Sequence, residues 1–272
     1  MKATWQERSR GFALLIVLWT MVLLALLVTE ITSAGRSDAE LATNLRGSAV
    51  AQAAADGAEA IAIFRYLDPS ALHWSADGIL HRLRIGDAEV AVAMTDEDGR
   101  VNPNTASASL LVALLRRIGV DPGTAARLAS AMVDWRSSSG VAPSPFAAKM
   151  LPYRAAGMTW GPPSGPFRSS AEIALLLGMT PTLLARLRPH ISVFTEGDVD
   201  AVLADPVVRA ALADANGGIV PPSLGSSGAA RTLRITARAI ADDGSRFTRT
   251  SVVSVNAANG TLATLAWRQN SP

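Results

Sequence analysis

Phe12 to Val28 is an unbroken run of 17 residues without a charge. As a helix it would span about 25 Å at ~1.5 Å rise per residue. That is slightly short of a ~30 Å hydrocarbon core, and Thr29, Ile31 and local thinning of the bilayer close the gap. Lys2, Arg8 and Arg10 precede the run and Glu7 is the only acid there. Such a head stays in the cytoplasm and sends the chain beyond the helix to the outside. Thr32-Ser33-Ala34 offers a small-x-small site for an ordinary secretory cut. Against that, the run exceeds the usual ~7–15 residues of a signal core, and helical sequence continues beyond it. Leu41, Leu45, Ala49, Ala53, Gly57 and Ile61 recur every four residues, and Phe64 and Leu67 extend them into one stripe. Asp68-Pro69 ends the helix, because proline disfavours α geometry in the residue before it. A single helix from Phe12 to Leu67, about 84 Å long, is expected, with its first half projecting and its second half packed.

The remaining composition narrows the chemistry. At 272 residues with 49% apolar side chains, the chain can bury one large core or two modest ones. A formal net charge of +2 does not by itself point to nucleic acid. There is no cysteine, which removes disulfides and thiol chemistry, and His73, His81 and His190 are not paired at zinc-ligand spacing. No Gly-x-Ser-x-Gly, phosphate-cradling loop or His-Glu-x-x-His occurs, and Gly225-Ser226-Ser227-Gly228 lies in a linker without a nearby base. The expectation is a protein without enzymatic activity.

Arg8-Ser9-Arg10-Gly11-Phe12, leading directly into Ala13-Leu14-Leu15-Ile16-Val17-Leu18-Trp19, resembles the prepilin signal of type IV pilins and type II secretion pseudopilins. The resemblance implies cleavage between Gly11 and Phe12 by a membrane peptidase, N-methylation of Phe12, and retention of the apolar helix. Most such subunits carry glutamate at the fifth position after the cut. Here that position is Ile16, a departure typical of the minor pseudopilin K family.

Further along, residues 80–85 and 89–94 read as strands around a Gly86-Asp87 turn. The segment Thr95-Asp96-Glu97-Asp98-Gly99-Arg100-Val101-Asn102-Pro103-Asn104-Thr105-Ala106 resembles the acidic-glycine, Asn-x-Asn-Thr-Ala stretch of the same family, as Met132-Val133-Asp134-Trp135-Arg136 resembles its Asp-Trp-Arg ending. Helices are expected over 108–118, 124–135, 170–177 and 182–187. A long loop rich in Ser, Pro and Gly is expected over 137–165, a strand at 192–194 and a helix from Asp198 to Ala213 with a restart at Pro206. The two helix pairs, turning at Gly119-Val120-Asp121 and Gly178-Met179-Thr180, resemble helix-hairpin-helix units and raise an exported DNA-binding protein as the rival function. Neither turn has Gly-x-Gly, and an aspartate where phosphate should sit is repulsive, so no nucleic-acid partner is expected. Strands are expected over 233–240, 246–255 and 261–267.

The fold class expected is α+β: a long N-terminal transmembrane helix, a pilin-like antiparallel sheet, and a large helical insertion between strands. The corresponding division is a leader over 1–11, the long helix over 12–68 (12–32 in the membrane) and the first part of the β domain over 69–103. An inserted helical domain comes next over 104–191, then a second helical segment and linker over 192–229, and the closing strands over 230–272. Family resemblance implies a minor pseudopilin at the tip of the type II secretion pseudopilus. Its partners would be pseudopilins I and J, the major pseudopilin, the prepilin peptidase and the inner-membrane assembly platform. It would cross the bacterial inner membrane once, with a cytoplasmic N-terminus and a periplasmic head. No cofactor is required. Calcium is the ion that Asp96 and Asp98, with nearby side-chain oxygens, would suit, although the spacing is not that of an EF-hand.

Overall fold

The computed structural model describes residues 5–137, 146–220, 230–256 and 260–270; within it the side chains of residues 5–11, 13, 31–39, 146–148 and 269–270 are not described. Helix α1 runs without interruption over Trp5–Leu67, 63 residues and about 95 Å. It begins before Phe12, so the helix takes in Arg8 and Arg10 as well. Among the described residues no helix is long and apolar enough to cross a membrane. The side chains from Leu14 to Val28 lie exposed along it.

The distal half of α1 packs on a five-stranded antiparallel sheet, β1 (Asp77–Ile85), β2 (Ala88–Asp96), β3 (Arg231–Ala241), β4 (Arg246–Asn256) and β5 (Thr261–Asn270), in the order β1-β2-β3-β4-β5. Every neighbour in the sheet is a neighbour in sequence, except that 134 residues separate Asp96 from Arg231 between β2 and β3. Gly86 stands at φ 56 in the β1–β2 turn, a left-handed conformation that glycine adopts at no steric cost. The expected strands are thus all present in the sheet except that at 192–194, where only an isolated bridge, Val101 to Ile191, forms.

The face that α1 buries is not the expected stripe. Gly47, Ala51, Ala54, Ala55, Ala58 and Ala62 lie against the sheet, while Leu41, Leu45, Ala49, Ala53, Phe64 and Leu67 are exposed and Gly57 and Ile61 half-buried. The cause is helical geometry. A strict spacing of four advances about 40° per step, so six such positions sweep about 200° around the cylinder. The mixed spacing of three and four from Gly47 to Ala62 stays on one side. Small side chains there bring helix and sheet into close contact, with Val90, Val92, Met94, Leu233, Ile235, Phe247 and Val253 filling the layer.

Between β2 and β3 lies the helical block: α2 (Ala108–Arg117), α3 (Pro122–Arg136), α4 (Phe146–Ala155), α5 (Pro181–Leu187) and α6 (Pro206–Ala215). It owns a separate core in which Leu111, Leu114, Leu115, Leu128, Met132, Trp135, Ile173 and Leu187 are buried. Three expectations change here. Part of the long loop is helical, since α4 forms over 146–155. The segment 170–177 contracts to a 3-10 turn, Glu172–Leu175, and Asp198 to Ala204 is not helical, so that α6 starts only at Pro206. Asp205 explains that start: its carboxylate accepts the N–H groups of Val207 and Val208, and Pro206 at the first helical position needs no partner for a missing donor. Residues 138–145 of the expected loop and 221–229 of the expected linker lie outside the described residues.

Candidate functional site

The chain enters and leaves the helical block through one seam, and most of the distinctive residues of the sequence converge there. Glu97 follows the last residue of β2 and is fully buried. Its carboxylate receives Nε and Nη2 of Arg234 on β3 at 2.7 and 3.0 Å, and Nη1 of Arg100 at 2.8 Å. Two guanidinium groups surround a single acid in a dry position, where charge-assisted bonds are strong and an unpaired charge is costly. Burial pulls the Arg100 guanidinium below its ordinary value, and Glu97 opposes that shift.

Around this ion cluster the backbone is sewn to itself. Glu97 N–H donates to Thr232 O, Val101 N–H to His190 O, Ser192 N–H to Val101 O, and Asp200 N–H to Asp98 O. Gly99 lies so close to Leu203 and Ala204 that a Cβ would collide with their backbone atoms. The asparagines of the Asn-Pro-Asn segment extend the seam inward. Asn102 donates to Thr195 O at 2.7 Å, and Asn104 exchanges two bonds with the Phe167 backbone at 2.7 and 2.9 Å. The Asp-Trp-Arg ending of α3 closes it: Arg136 donates to Pro103 O and Ala106 O, and Trp135 stacks on Phe167 with centroids 5.5 Å apart. These motifs are therefore one physical object, a latch fastening the helical block to the sheet.

Outside Glu97 the same turn presents Asp96 to a cleft of about 650 Å³, which Tyr66, His73, Asp77, Arg100, Leu203 and Arg231 help to line. Arg231 meets Asp200 at 3.1 Å and Asp98 at 3.8 Å. Burial is the main cause that raises the Asp96 carboxyl from 3.8 to about 6; Asp98 and Asp200 add to the rise, and the Asp98 N–H and Arg231 oppose it. The two aspartates proposed for calcium do share this turn. Among the described residues, however, no three His, Asp or Glu side chains are grouped to hold a metal, and a guanidinium already sits between Asp98 and Asp200.

A pH dependence arises from Asp96. Its folded pKa lies above its unfolded value, so the folded state holds the proton more tightly, and stability falls as pH rises from about 4 to about 6. Asp96→Asn is expected to remove that slope and to stabilise the head at pH 7 by on the order of 1–2 kcal/mol after allowance for solvent screening. Thermal melts across this range check it, and an unchanged slope in the variant would rule out Asp96 as its source.

The helix-hairpin-helix resemblance also has a geometry. Gly119 and Gly178 sit at φ +89 and +86, as tight turns demand. Asp121 accepts Thr124 N–H as the cap of α3, and Thr180 accepts Leu183 N–H as the cap of α5. An acid therefore occupies the donor that a phosphate would need in the first turn. Of the arginines nearby, Arg117 is paired with Asp214 and Arg127 bonds Thr124. At the other end of the molecule, α1 passes through Gly11 and Phe12, and Phe12 and Ile16 are both exposed on it.

A sheet on the distal half of a long helix, with a latched helical block spliced between its second and third strands, is a pilin-like architecture with an enlarged head. Residues 86–196 match the family model described as type II secretion system protein K. Over 207 residues the chain is 28% identical to the type II secretion system protein K of Klebsiella pneumoniae, an alignment covering 68% of this chain and 63%, less than two thirds, of that relative. In fold it is similar to a chain of the crystal structure of the GspK-GspI-GspJ complex from the enterotoxigenic Escherichia coli type 2 secretion system. The TM-score is 0.60 at 15% identity, covering 87% of this chain and 99% of the other.

Proposed function

We propose that this protein is a non-enzymatic minor pseudopilin that caps the type II secretion pseudopilus, helping to start its assembly and so to export folded proteins across the outer membrane. The observation that carries the reading is the head itself: a helical block latched beside a pilin-like sheet on one continuous helix. Bulk at that place blocks addition of a further subunit above, while the helix packs among those below. Its partners in this reading are pseudopilins I and J, the major pseudopilin and the inner-membrane assembly platform. The division of labour along the chain is that of the sequence expectation: leader to residue 11, helix to residue 68, then the β domain with its inserted helices.

The N-terminal half of α1 is the membrane anchor, crossing the bacterial inner membrane once with the head in the periplasm. Support comes from the uncharged run of Phe12 to Val28 behind a basic head. The prepilin peptidase cuts after Gly11, and Phe12 becomes the methylated N-terminus. Ile16 removes a carboxylate that would need a partner within the bilayer, in keeping with a subunit that has none above it.

N-terminal sequencing of the mature protein tests this reading. A first residue of Phe12 supports it, and a first residue of Gly35 would sink it. Gly11→Val is expected to leave an uncut precursor and to reduce secretion to the level of a strain lacking the protein. Normal maturation of that variant would refute the peptidase assignment.

A further inference from the structure

The sheet has two faces. One is buried on α1, and the other carries the positions that alternate with the buried ones. Near the seam this outer face is engaged: Arg234 reaches Glu97, and Val252 opposite it on β4 is buried. Toward the β1–β2 and β3–β4 turns it is open and strongly basic. Arg82 on β1, Arg238 on β3, Arg246 on β4 and Arg268 on β5 are all exposed. Among the described residues none of these four is paired with a carboxylate. Arg84 on the same face is paired, with Asp242 at 2.9 Å and Glu89 at 3.9 Å. A chain with a formal net charge of only +2 thus gathers four unpaired guanidinium groups on one surface. The register sets their spacing. Arg82 and Arg238 flank Ala91 in one row across the strands, roughly 10 Å apart. Arg246 opposes Ile240 and is therefore the diagonal neighbour of Arg238, about 7–8 Å away.

We infer that this face receives an extended acidic segment on the surface of an exported protein. The inference rests on the proposed pseudopilin function and names what that function recognises in its cargo. In that reading the subunits below pack through α1, on the other side of the sheet, so the basic face is turned outward. The anchoring bilayer is out of its reach. Val28 and Gly47, where the helix meets the β3–β4 turn, are 19 positions apart on α1. That is about 28 Å, several times the ~8 Å over which charge acts at physiological salt. Nucleic acid is disfavoured too. The outer positions of the five strands hold no aromatic ring on which a base could stack, and Glu89 and Asp242 repel a continuous run of phosphates. Separate carboxylates fit better. Each takes a forked pair of bonds from one guanidinium. Alternate residues of an extended chain stand about 6.8 Å apart, close to the diagonal spacing of Arg238 and Arg246. Between the arginines Thr236, Thr248 and Thr250 offer hydroxyls to the segment's main chain, and Ala91 and Ala93 leave it room.

The test uses the full-length protein in nanodiscs of neutral lipid and a short fluorescent peptide alternating glutamate with threonine, read by anisotropy. The peptide is expected to bind at least about tenfold more tightly than its glutamine counterpart, and to lose most of that advantage at high salt. Arg238→Gln with Arg246→Gln is expected to weaken it about tenfold or more. Arg188→Gln, at an exposed arginine of the helical block, is expected to leave it unchanged. In cells the double variant should mature at Phe12 and bind pseudopilins I and J as the parent does, yet secrete about tenfold less. Equal binding of the two peptides, or full secretion by the double variant, overturns the inference and leaves the pseudopilin reading standing. Tighter binding of phosphatidylglycerol vesicles or duplex DNA than of the acidic peptide does the same and marks a membrane or nucleic acid as the occupant. Undiminished secretion by a strain lacking the protein overturns both.

Discussion

Glu97→Ala is expected to lower the melting temperature of the head by roughly 10 °C, from a loss of about 3–5 kcal/mol. The side chain is fully buried and answers two guanidinium groups, Arg234 on the sheet and Arg100 at the entry to the helical block. Its removal leaves both cations facing a cavity where their carboxylate stood. Glu97→Gln keeps the shape and two hydrogen-bonding atoms while discarding the charge, and is expected to lose about half as much. Glu97→Leu combined with Arg234→Leu is expected to recover most of the deficit, because a buried ion pair replaced by packed apolar groups is often neutral or better. Differential scanning calorimetry of the four proteins checks the series. A Glu97→Ala protein within about 1 kcal/mol of the parent would show that the cluster does not hold the seam, and poor recovery in the double variant would show that Arg100 depends on Glu97 more than Arg234 does.

The sequence exposed this seam only in part, for physical reasons. Strands β3 and β4 were legible because alternation has a period of two and Asp242-Asp243-Gly244-Ser245 is a turn by chemistry alone. The motif residues Asn102, Asn104, Trp135 and Arg136 could be singled out, but their meeting could not, since Asn104 and Phe167 stand 63 positions apart and Arg234 and Glu97 stand 137 apart. Nothing local distinguishes Glu97 from Asp96 and Asp98 on either side. Only the alternation of β2, continued by one residue, turns Glu97 away from its neighbours and toward Arg234. The stripe on α1 failed for a different reason. Leucines at 41 and 45 outweigh alanines by hydrophobicity, yet the sheet selects by shape, and alanines allow the closest approach of a helix. The insertion helices were legible where caps announced them, at Ser107, Asp121 and Thr180. They were misplaced at 198–204, where the Asp200 N–H bonds the distant Asp98 O and only a single turn closes on Asp200 O.

Gly99→Ala is expected to open the seam from the backbone side and to cost about 2–3 kcal/mol, the upper range for one added carbon in a tightly packed place. A Cβ there meets Leu203 O and C, and Ala204 N at 2.8 Å, all main-chain atoms that no rotamer change can move. Two other glycines make the comparison decisive. At Gly47 the crowding atoms are the side-chain ends of Asp243 and Ser245, which can turn into water, so Gly47→Ala should cost less. At Gly57 the nearest atom is a methyl of Ile85 at 3.7 Å, an ordinary contact, and the substitution should be neutral or stabilise α1 by about 0.5–1 kcal/mol through helix propensity. The expected order of destabilisation is therefore Gly99 over Gly47 over Gly57. Limited proteolysis adds a spatial readout: in Gly99→Ala the new cuts should fall within residues 198–205, while α1 and the sheet stay resistant. If the latch also serves the tip role, the same variant should mature normally and yet secrete poorly, the reverse of Gly11→Val, which blocks maturation itself. Full secretion by a Gly99→Ala protein with a demonstrably loosened seam would separate the stability of the head from its work.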